Sequence, residues 1–492
     1  MRIDKSKGLR ALPDISGTTG GLHALAIAVV AAAVTGCAAI PRDAGFKDVQ
    51  DTVANRTGQR IAWSPGGPED AAVTKAIDEL LAKELNAGEA VQIALLNNRG
   101  LRATFEDLNL AQANLVQAGL LNNLLFTTAV GVPLDGGSLD LSFGIVQDFL
   151  SILYRPLRRQ IATSQFAATK LRVAEGVIDL AARVQEAFYE TQADQQRIEF
   201  LQQVVTATAA SAETARRLRE AGNITDLDLA REQALYEEAR LALATAQTRL
   251  IQNRERLSAL MGLWGDDTRW TVASRLPDLP NASKKSLLKT ADLEQRAIEA
   301  NFALGATRRE IEAAAGVLGF MDATALIPFL QPGIDAEREE GEWEVGPSFA
   351  FPLPIFNQGR ARVAAAQSDL RRAQQLYWAQ AIEIRALVRT AHATAISARN
   401  RARHVQTVLL PLYTRAVNNT QLQYNAMQVG VFSLLQAKQQ QVNAGLRYIE
   451  TLLEYWLART ALEQILNGSL ADVGTTSMAE IPAGSIPGIS IQ

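Results

Sequence analysis

Apolar and polar positions along the chain follow two periods, and the places where one gives way to the other divide it into elements. From 71 to 119 apolar residues recur at helical spacing, in two pieces broken near Asn86 to Gly88. Between 124 and 149 the period drops to two. Leu124, Phe126, Thr128, Val130, Val132 and Leu134 alternate with smaller residues, Asp135-Gly136-Gly137 makes a turn, and Leu139, Leu141, Phe143 and Ile145 resume the alternation. This predicts a β-hairpin with one apolar face. From Pro156 to Ala221 the helical period returns, through Leu157, Ile161, Ala168, Ile178, Val184 and Phe188, with no further proline. Such a helix runs about 100 Å, against about 10–14 residues for an ordinary globular helix, so it is of the coiled-coil type. Gly222-Asn223 breaks it, and a second helix runs from about Thr225 to Met261.

The same order then recurs. After a loop with Pro277 and Pro280 come a helix near 289–317, an alternating segment at 331–354, and a helix from about 358 to 428 interrupted only near Pro411. A break at Val429-Gly430 precedes a last helix from about 433 to 467. Aligning Gly222 with Gly430 places Thr225 on Ser433, Leu227 on Leu435 and Gln233 on Gln441, which marks an internal duplication. Both glycines suit a helix C-terminus that needs positive φ, and Thr225 and Ser433 suit the next N-cap. In the second alternating segment Trp343, Val345, Phe349, Phe351 and Leu353 share one face; Glu342, Glu344, Gly346, Ser348 and Ala350 share the other. Its partner, about 331–340, is polar and a weaker strand former.

Strands of about ten residues match a bilayer crossing, but four strands cannot close, and an open edge in hydrocarbon is costly. Strands that span therefore require several protomers to share one barrel. Long helical hairpins with two apolar stripes make the same demand.

The N-terminus adds an address. Arg2, Lys5, Lys7 and Arg10 precede an apolar run from Leu22 to Val34, of about 13 residues, which is shorter than a spanning helix and reads as a signal peptide. It ends at Val34-Thr35-Gly36-Cys37, containing the single cysteine of the chain. This tetrapeptide resembles the lipobox of bacterial lipoproteins, which implies an acylated Cys37 as the mature N-terminus; Ala38, a non-acidic neighbour, implies sorting to the outer membrane. The expected division is a leader over 1–36, a lipidated, irregular lead-in over 37–70, a first repeat over 71–286 (β-hairpin 124–149, helical hairpin 156–262, then a linker), a second repeat over 287–467 (β-hairpin 331–354, helical hairpin 358–467) and a flexible tail over 468–492.

Charge is nearly balanced at −3, from 49 basic and 52 acidic residues, so the chain has no electrostatic footprint for nucleic acid. His23 falls in the leader, and His392 and His404 lie twelve positions apart on one expected helix, too far for a paired metal site. No G-x-S-x-G or phosphate-binding motif occurs. Neither an enzyme, nor a metal site, nor a cofactor is expected.

Three stretches carry a family resemblance. "GPSFAFPLPIFNQGRARVAAAQSDLRRA", 346–373, resembles the signature region of the TolC-like outer-membrane efflux proteins, where the last strand runs through Pro-Leu-Pro into the longest helix. "NAGEAVQIALLNNRGLRATFEDLNLAQANLVQAGLL", 86–121, resembles their N-terminal helix motif, departing at Arg99-Gly100 where a proline is usual. "YNAMQVGVFSLLQAKQQQ", 424–441, resembles their second inter-helix turn. Lipidated channels of heavy-metal and multidrug efflux systems are the most similar branch. The resemblance implies a mainly α protein with a small β part: a homotrimer with twelve shared transmembrane strands above a periplasmic α-helical barrel. It also implies a passive conduit in the outer membrane, for efflux or for type I secretion, that docks on a periplasmic adaptor and an inner-membrane pump through the turns at Gly222, Thr225, Gly430 and Ser433. Where some members carry tunnel-mouth aspartates this chain has Gln436 and Gln439; Asp226, Asp228 and Glu232 of the first turn are the alternative acids. The competing reading is a periplasmic adaptor lipoprotein, which would need one helical hairpin flanked by soluble β-domains.

Overall fold

The structure, a computed structural model, describes residues 43–63, 69–132, 139–280, 290–339 and 342–470. The leader, Cys37, the Asp135-Gly136-Gly137 turn and the tail beyond Leu470 lie outside the described residues. Helices α1 (Phe46–Thr57) and α2 (Glu69–Leu81), strand β1 (Glu84–Leu85), and helices α3 (Ala87–Asn97) and α4 (Arg99–Ala118) lead to strands β2 (Leu125–Gly131) and β3 (Asp140–Val146). A short α5 (Phe149–Leu153) turns into α6 (Arg155–Glu220), which returns as α7 (Asp226–Met261); β4 (Thr271–Val272) pairs in parallel with β1. The second half runs α8 (Thr290–Ala300), α9 (Phe302–Ala323), β5 (Gln331–Glu339), β6 (Glu342–Ala350), α10 (Arg360–His404), α11 (Leu410–Asn425) and α12 (Val431–Asn467).

The longest apolar stripe becomes the longest helix. α6 has 66 residues, and Pro156 sits in its first turn, where a missing N–H costs nothing. Its Val173, Val177, Val184 and Phe188 are buried in the largest core cluster, with Ile93 of α3, Phe105 and Leu108 of α4, and Leu257 and Met261 of α7. Each fully buried side chain of this size contributes about 1.5–3 kcal/mol. A second cluster joins Ile384 and Val388 of α10 to Ile465 of α12. A third sets Trp456 and Leu452 of α12 on Ala193 of α6.

Several expectations need correction. The lead-in is not irregular throughout, because α1 lies within it and buries Val49 and Val53; Gly45 and Gly58, both at positive φ, bound the helix and mask its amphipathic pattern. The helix expected near 289–317 is two helices divided at Asn301, whose side-chain oxygen accepts from the Leu304 amide at 2.7 Å. Within the polar stretch 331–340, Gln331–Glu339 form a strand because both its edges are paired, with β3 on one side and β6 on the other. The interruption near Pro411 is a π turn at Val405–Leu409: proline has no N–H to give, its ring crowds the carbonyl four residues back, and the widened turn absorbs both defects. The tail at 468–492 begins docked, with Ser469 buried and its amide bonded to the Gln464 carbonyl.

The duplication is visible in one repeated junction. Asn98 caps α4 as Asn301 caps α9, each through an amide three residues on. Asn97 and Asn98 donate to the carbonyls of Gly262, Met261 and Leu260 at the end of α7. In the second half Phe302 N donates to Gly468 O at 2.8 Å, and Arg56 of α1 joins Ala300 O and Asn467 O while covering the Phe302 ring. A Cβ on Gly262 would stand 2.8 Å from Asn97 O, and one on Gly468 2.3 Å from Ala300 O. Glycine is thus required twice, at matching places.

One partly buried carboxyl on α6 makes stability depend on pH. Glu175 is pushed up to about 7, first by burial, then by repulsion from Asp179, with Arg172 opposing. The folded state therefore binds this proton more tightly than the unfolded chain. The contribution is fully favourable below about 4.5 and is lost as pH rises through 7. Glu175→Gln is expected to match the native protein near pH 4 and to exceed its stability at pH 8 by about 1–3 kcal/mol, read by thermal or denaturant melts at both pH values.

Candidate functional site

The four long strands form one antiparallel sheet in the order β2-β3-β5-β6, with no strand paired to the outer edges of β2 and β6 among the described residues. Strand registers put Phe126 beside Ile145, Ile145 beside Ile334, and Ile334 beside Pro347. Alternation then gives one face Phe126, Val130, Phe143, Ile334, Val345 and Phe349, nearly all more than half exposed. Phe126, Phe143 and Trp343 stack in a row across it, with ring centroids 6.2 and 6.0 Å apart. An uncovered apolar face of this extent marks contact with an apolar partner rather than water.

The opposite face is acidic. Asp140, Asp335, Glu337, Glu342 and Glu344 fall there by register, and Glu337 lies directly across from Glu344. Like charges opposed across strands destabilise a sheet, so this pairing breaks a local rule. Asp335 and Glu337 escaped the sequence reading because β5 reads as a poor strand; the acid spacing of two was the available signal.

At the other end, the α6–α7 turn is heavily braced. Gly222 has φ +76° with open space around it, and the Asn223 amide bonds back to Leu218 O at 2.8 Å. Thr225 caps α7: its hydroxyl oxygen accepts from the Asp228 amide at 3.2 Å while Asp228 accepts from the Thr225 amide and hydroxyl. Arg219 grips Asp226 with two bonds, 2.5 and 2.9 Å. Hydrogen bonding from Arg219 and from Thr225 holds the Asp226 and Asp228 carboxyls, respectively, below the usual range. Glu232 is not a solvated acid at this turn. It is buried, accepts from Ser211 at 2.6 Å, and borders a cavity of about 210 Å³ shared with Phe432 and Leu435 of α12.

The α11–α12 turn differs from its expected form. Gly430 has φ −77° and is itself the N-cap, so α12 starts at Val431 and Ser433 lies inside its first turn. The left-handed residue is Met427, at φ 59°, and the Gln428 amide bonds back to Gln423 O at 2.9 Å. The turns therefore match Gly222 to Met427 and Thr225 to Gly430, three residues away from the alignment by glycine. A glycine at a helix end predicts positive φ, yet here it supplies a cap without a side chain. Gln436 is exposed and Gln439 half-buried on α12, two turns beyond.

His392 and His404 line one open groove with Arg389, Arg401, Arg447 and Thr451. Among the described residues no group of three or more His, Cys, Asp or Glu side chains converges as metal ligands, and no helix is long and apolar enough to cross a membrane.

One sheet with an apolar and an acidic face is thus set on two long helical hairpins. Comparison with known proteins agrees. Residues 90–263 match the family model described as outer membrane efflux protein. The chain is 27% identical over 311 residues, 62% of its length and 71% of the relative's, to the cobalt-zinc-cadmium resistance protein CzcC of Cupriavidus metallidurans. It is 24% identical over 373 residues, 71% of its length and 75% of the relative's, to the probable efflux pump outer membrane protein TtgC of Pseudomonas putida. It shares the fold of the Campylobacter jejuni CmeC outer membrane channel, with a TM-score of 0.66 at 15% identity over 82% of this chain and 89% of that one. The chain is thus similar to outer membrane efflux proteins in sequence over residues 90–263 and in fold over most of its length.

The two turns respond oppositely to substitution. Met427→Gly removes a left-handed side-chain penalty and is expected to stabilise its turn by about 1 kcal/mol, whereas Gly222→Ala costs about the same. Amide exchange protection around residues 421–433 and 216–228 checks both.

Proposed function

We propose that three copies of this efflux-channel subunit close a twelve-stranded barrel through the free edges of β2 and β6, with their helical hairpins enclosing a periplasmic tunnel. The observation that carries the reading is the two-faced sheet with unpaired edges. Backbone groups along those edges need partners in hydrocarbon, and the apolar face needs lipid. Closure turns the acidic face inward, so that Asp140, Asp335, Glu337, Glu342 and Glu344 line the exit. The turns at Gly222, Thr225, Gly430 and Ser433 form the end that docks on a periplasmic adaptor and, through it, on an inner-membrane pump. Gln436 and Gln439 border the tunnel mouth, and Asp226 and Asp228 stand near it. Cys37 carries acyl chains that tether the N-terminus to the outer membrane. Likeness to a cobalt-zinc-cadmium resistance protein and the acidic exit together favour divalent metal cations as cargo.

Planar-bilayer recording on the purified protein is expected to give unitary conductance from a trimer, with cations favoured. Glu337→Gln combined with Glu344→Gln lowers the cation-to-anion permeability ratio several-fold, most at low salt, where screening is weakest. A monomer without conductance, even after Gly222→Ala loosens the first turn, overturns the channel reading. Cys37→Ala is expected to leave the barrel intact but to reduce its amount in outer-membrane fractions; unchanged amounts and unchanged electrophoretic mobility exclude acylation.

A further inference from the structure

Four helix ends converge at the foot of the sheet. The Tyr154 hydroxyl donates to Ala323 O at 3.4 Å and its ring meets Phe320 edge-on at 5.7 Å. Arg155 Nε donates to Gly119 O, and Arg362 reaches Thr324 O and Ala325 O at 3.5 and 3.4 Å. The C-terminal ends of α4 and α9 thus lie beside the starts of α6 and α10. Leu121, Phe149, Leu153, Leu326, Ile355 and Phe356 are exposed around this collar, Phe356 completely.

The charges there are one-sided. Arg155, Arg158 and Arg159 open α6, and Arg360 and Arg362 open α10. None of the five has a carboxylate partner among the described residues: Asp148 caps α5, and Asp322, in the last turn of α9, pairs with none of them. They also stand at the positive ends of two helix dipoles, where acids are favoured. Helices α3, α7 and α8 obey that rule with Glu89, Asp226 and Asp292. The first turns of α6 and α10 hold no acid at all. Carbonyl contacts hold Arg155, Arg158 and Arg362 in place without neutralising them.

We infer that this collar binds the phosphate groups of anionic phospholipids in the periplasmic leaflet. The inference rests on the membrane insertion proposed above. Two observations fix the ligand class: cations and helix N-termini call for an anion, and the adjoining apolar residues continue from strands whose apolar face meets acyl chains. Guanidinium groups match phosphate oxygens in pairs, so arginine suits this role better than lysine would at a single point. A headgroup layer satisfies both halves of the collar at once.

The test uses the full-length trimer in nanodiscs of phosphatidylcholine with and without phosphatidylglycerol, with retained lipid read by native mass spectrometry and conductance read in parallel. Arg159 and Arg360 have no hydrogen bond within the described chain to lose, so Arg159→Gln with Arg360→Gln leaves the fold undisturbed. The native trimer is expected to retain phosphatidylglycerol over phosphatidylcholine. That preference falls by about fivefold for each arginine removed and largely survives the double Lys variant. Equal retention of the two lipids by the native trimer, or undiminished preference in the Gln variant, overturns the inference. So does displacement of the lipid by millimolar inorganic phosphate, which would mark a simple anion site, or dissociation of the Gln trimer with lipid preference intact, which would mark pairing between protomers. A conducting trimer without lipid preference sinks the collar alone; a protein that neither inserts nor conducts sinks the channel reading beneath it.

Discussion

Two rows of backbone N–H and C=O groups, along β2 and β6, find no partner in the four-stranded sheet of one chain. In water such edges are solvated cheaply, but beside an apolar face turned to lipid they are not, and each unpaired group costs several kcal/mol. The proposed closure with other copies would remove the cost for every edge at once. The rest of the molecule follows from this. In the proposed barrel the exposed apolar face is the outside and the acidic face the inside, and the helices that hang from the sheet come together in the same number of copies.

The repeated junction at Asn98–Gly262 and Asn301–Gly468 sets how those helices hang. In both halves an asparagine-capped break lets the chain bend where it meets the end of that half's last helix, and a glycine allows the backbones to touch. Arg56 adds a third element to the second junction only, tying α1 to the carbonyls of Ala300 and Asn467. The N-terminal helix is thus part of the scaffold rather than a leash.

Much of this was legible in the chain. Alternation in β2, β3 and β6 marked the apolar face because a period of two survives without any tertiary information, and unbroken 3-4 spacing marked α6. What failed did so for identifiable reasons. β5 carries Pro332, Gly333 and acids that lower strand propensity, and it exists because two neighbours pair with it. The α1 helix is hidden between glycines. The junctions needed knowledge of which distant carbonyls Asn97 and Asn98 would meet. Aligning the repeats by glycine misplaced the second turn by three residues, since a cap at Gly430 and a left-handed Met427 look, in sequence, like the reverse.

That second turn differs from the first in how firmly it is tied. Gly222 sits relaxed, Thr225 and Asp228 lock the helix start, and Arg219 holds Asp226, whereas Met427 keeps a backbone angle that disfavours its side chain and Gly430 caps with nothing. The two repeats thus end in unequal struts, one a post and the other a spring. Under an equal pull the second turn gives way before the first, so any motion at this end of the proposed channel starts from Met427 and Gly430.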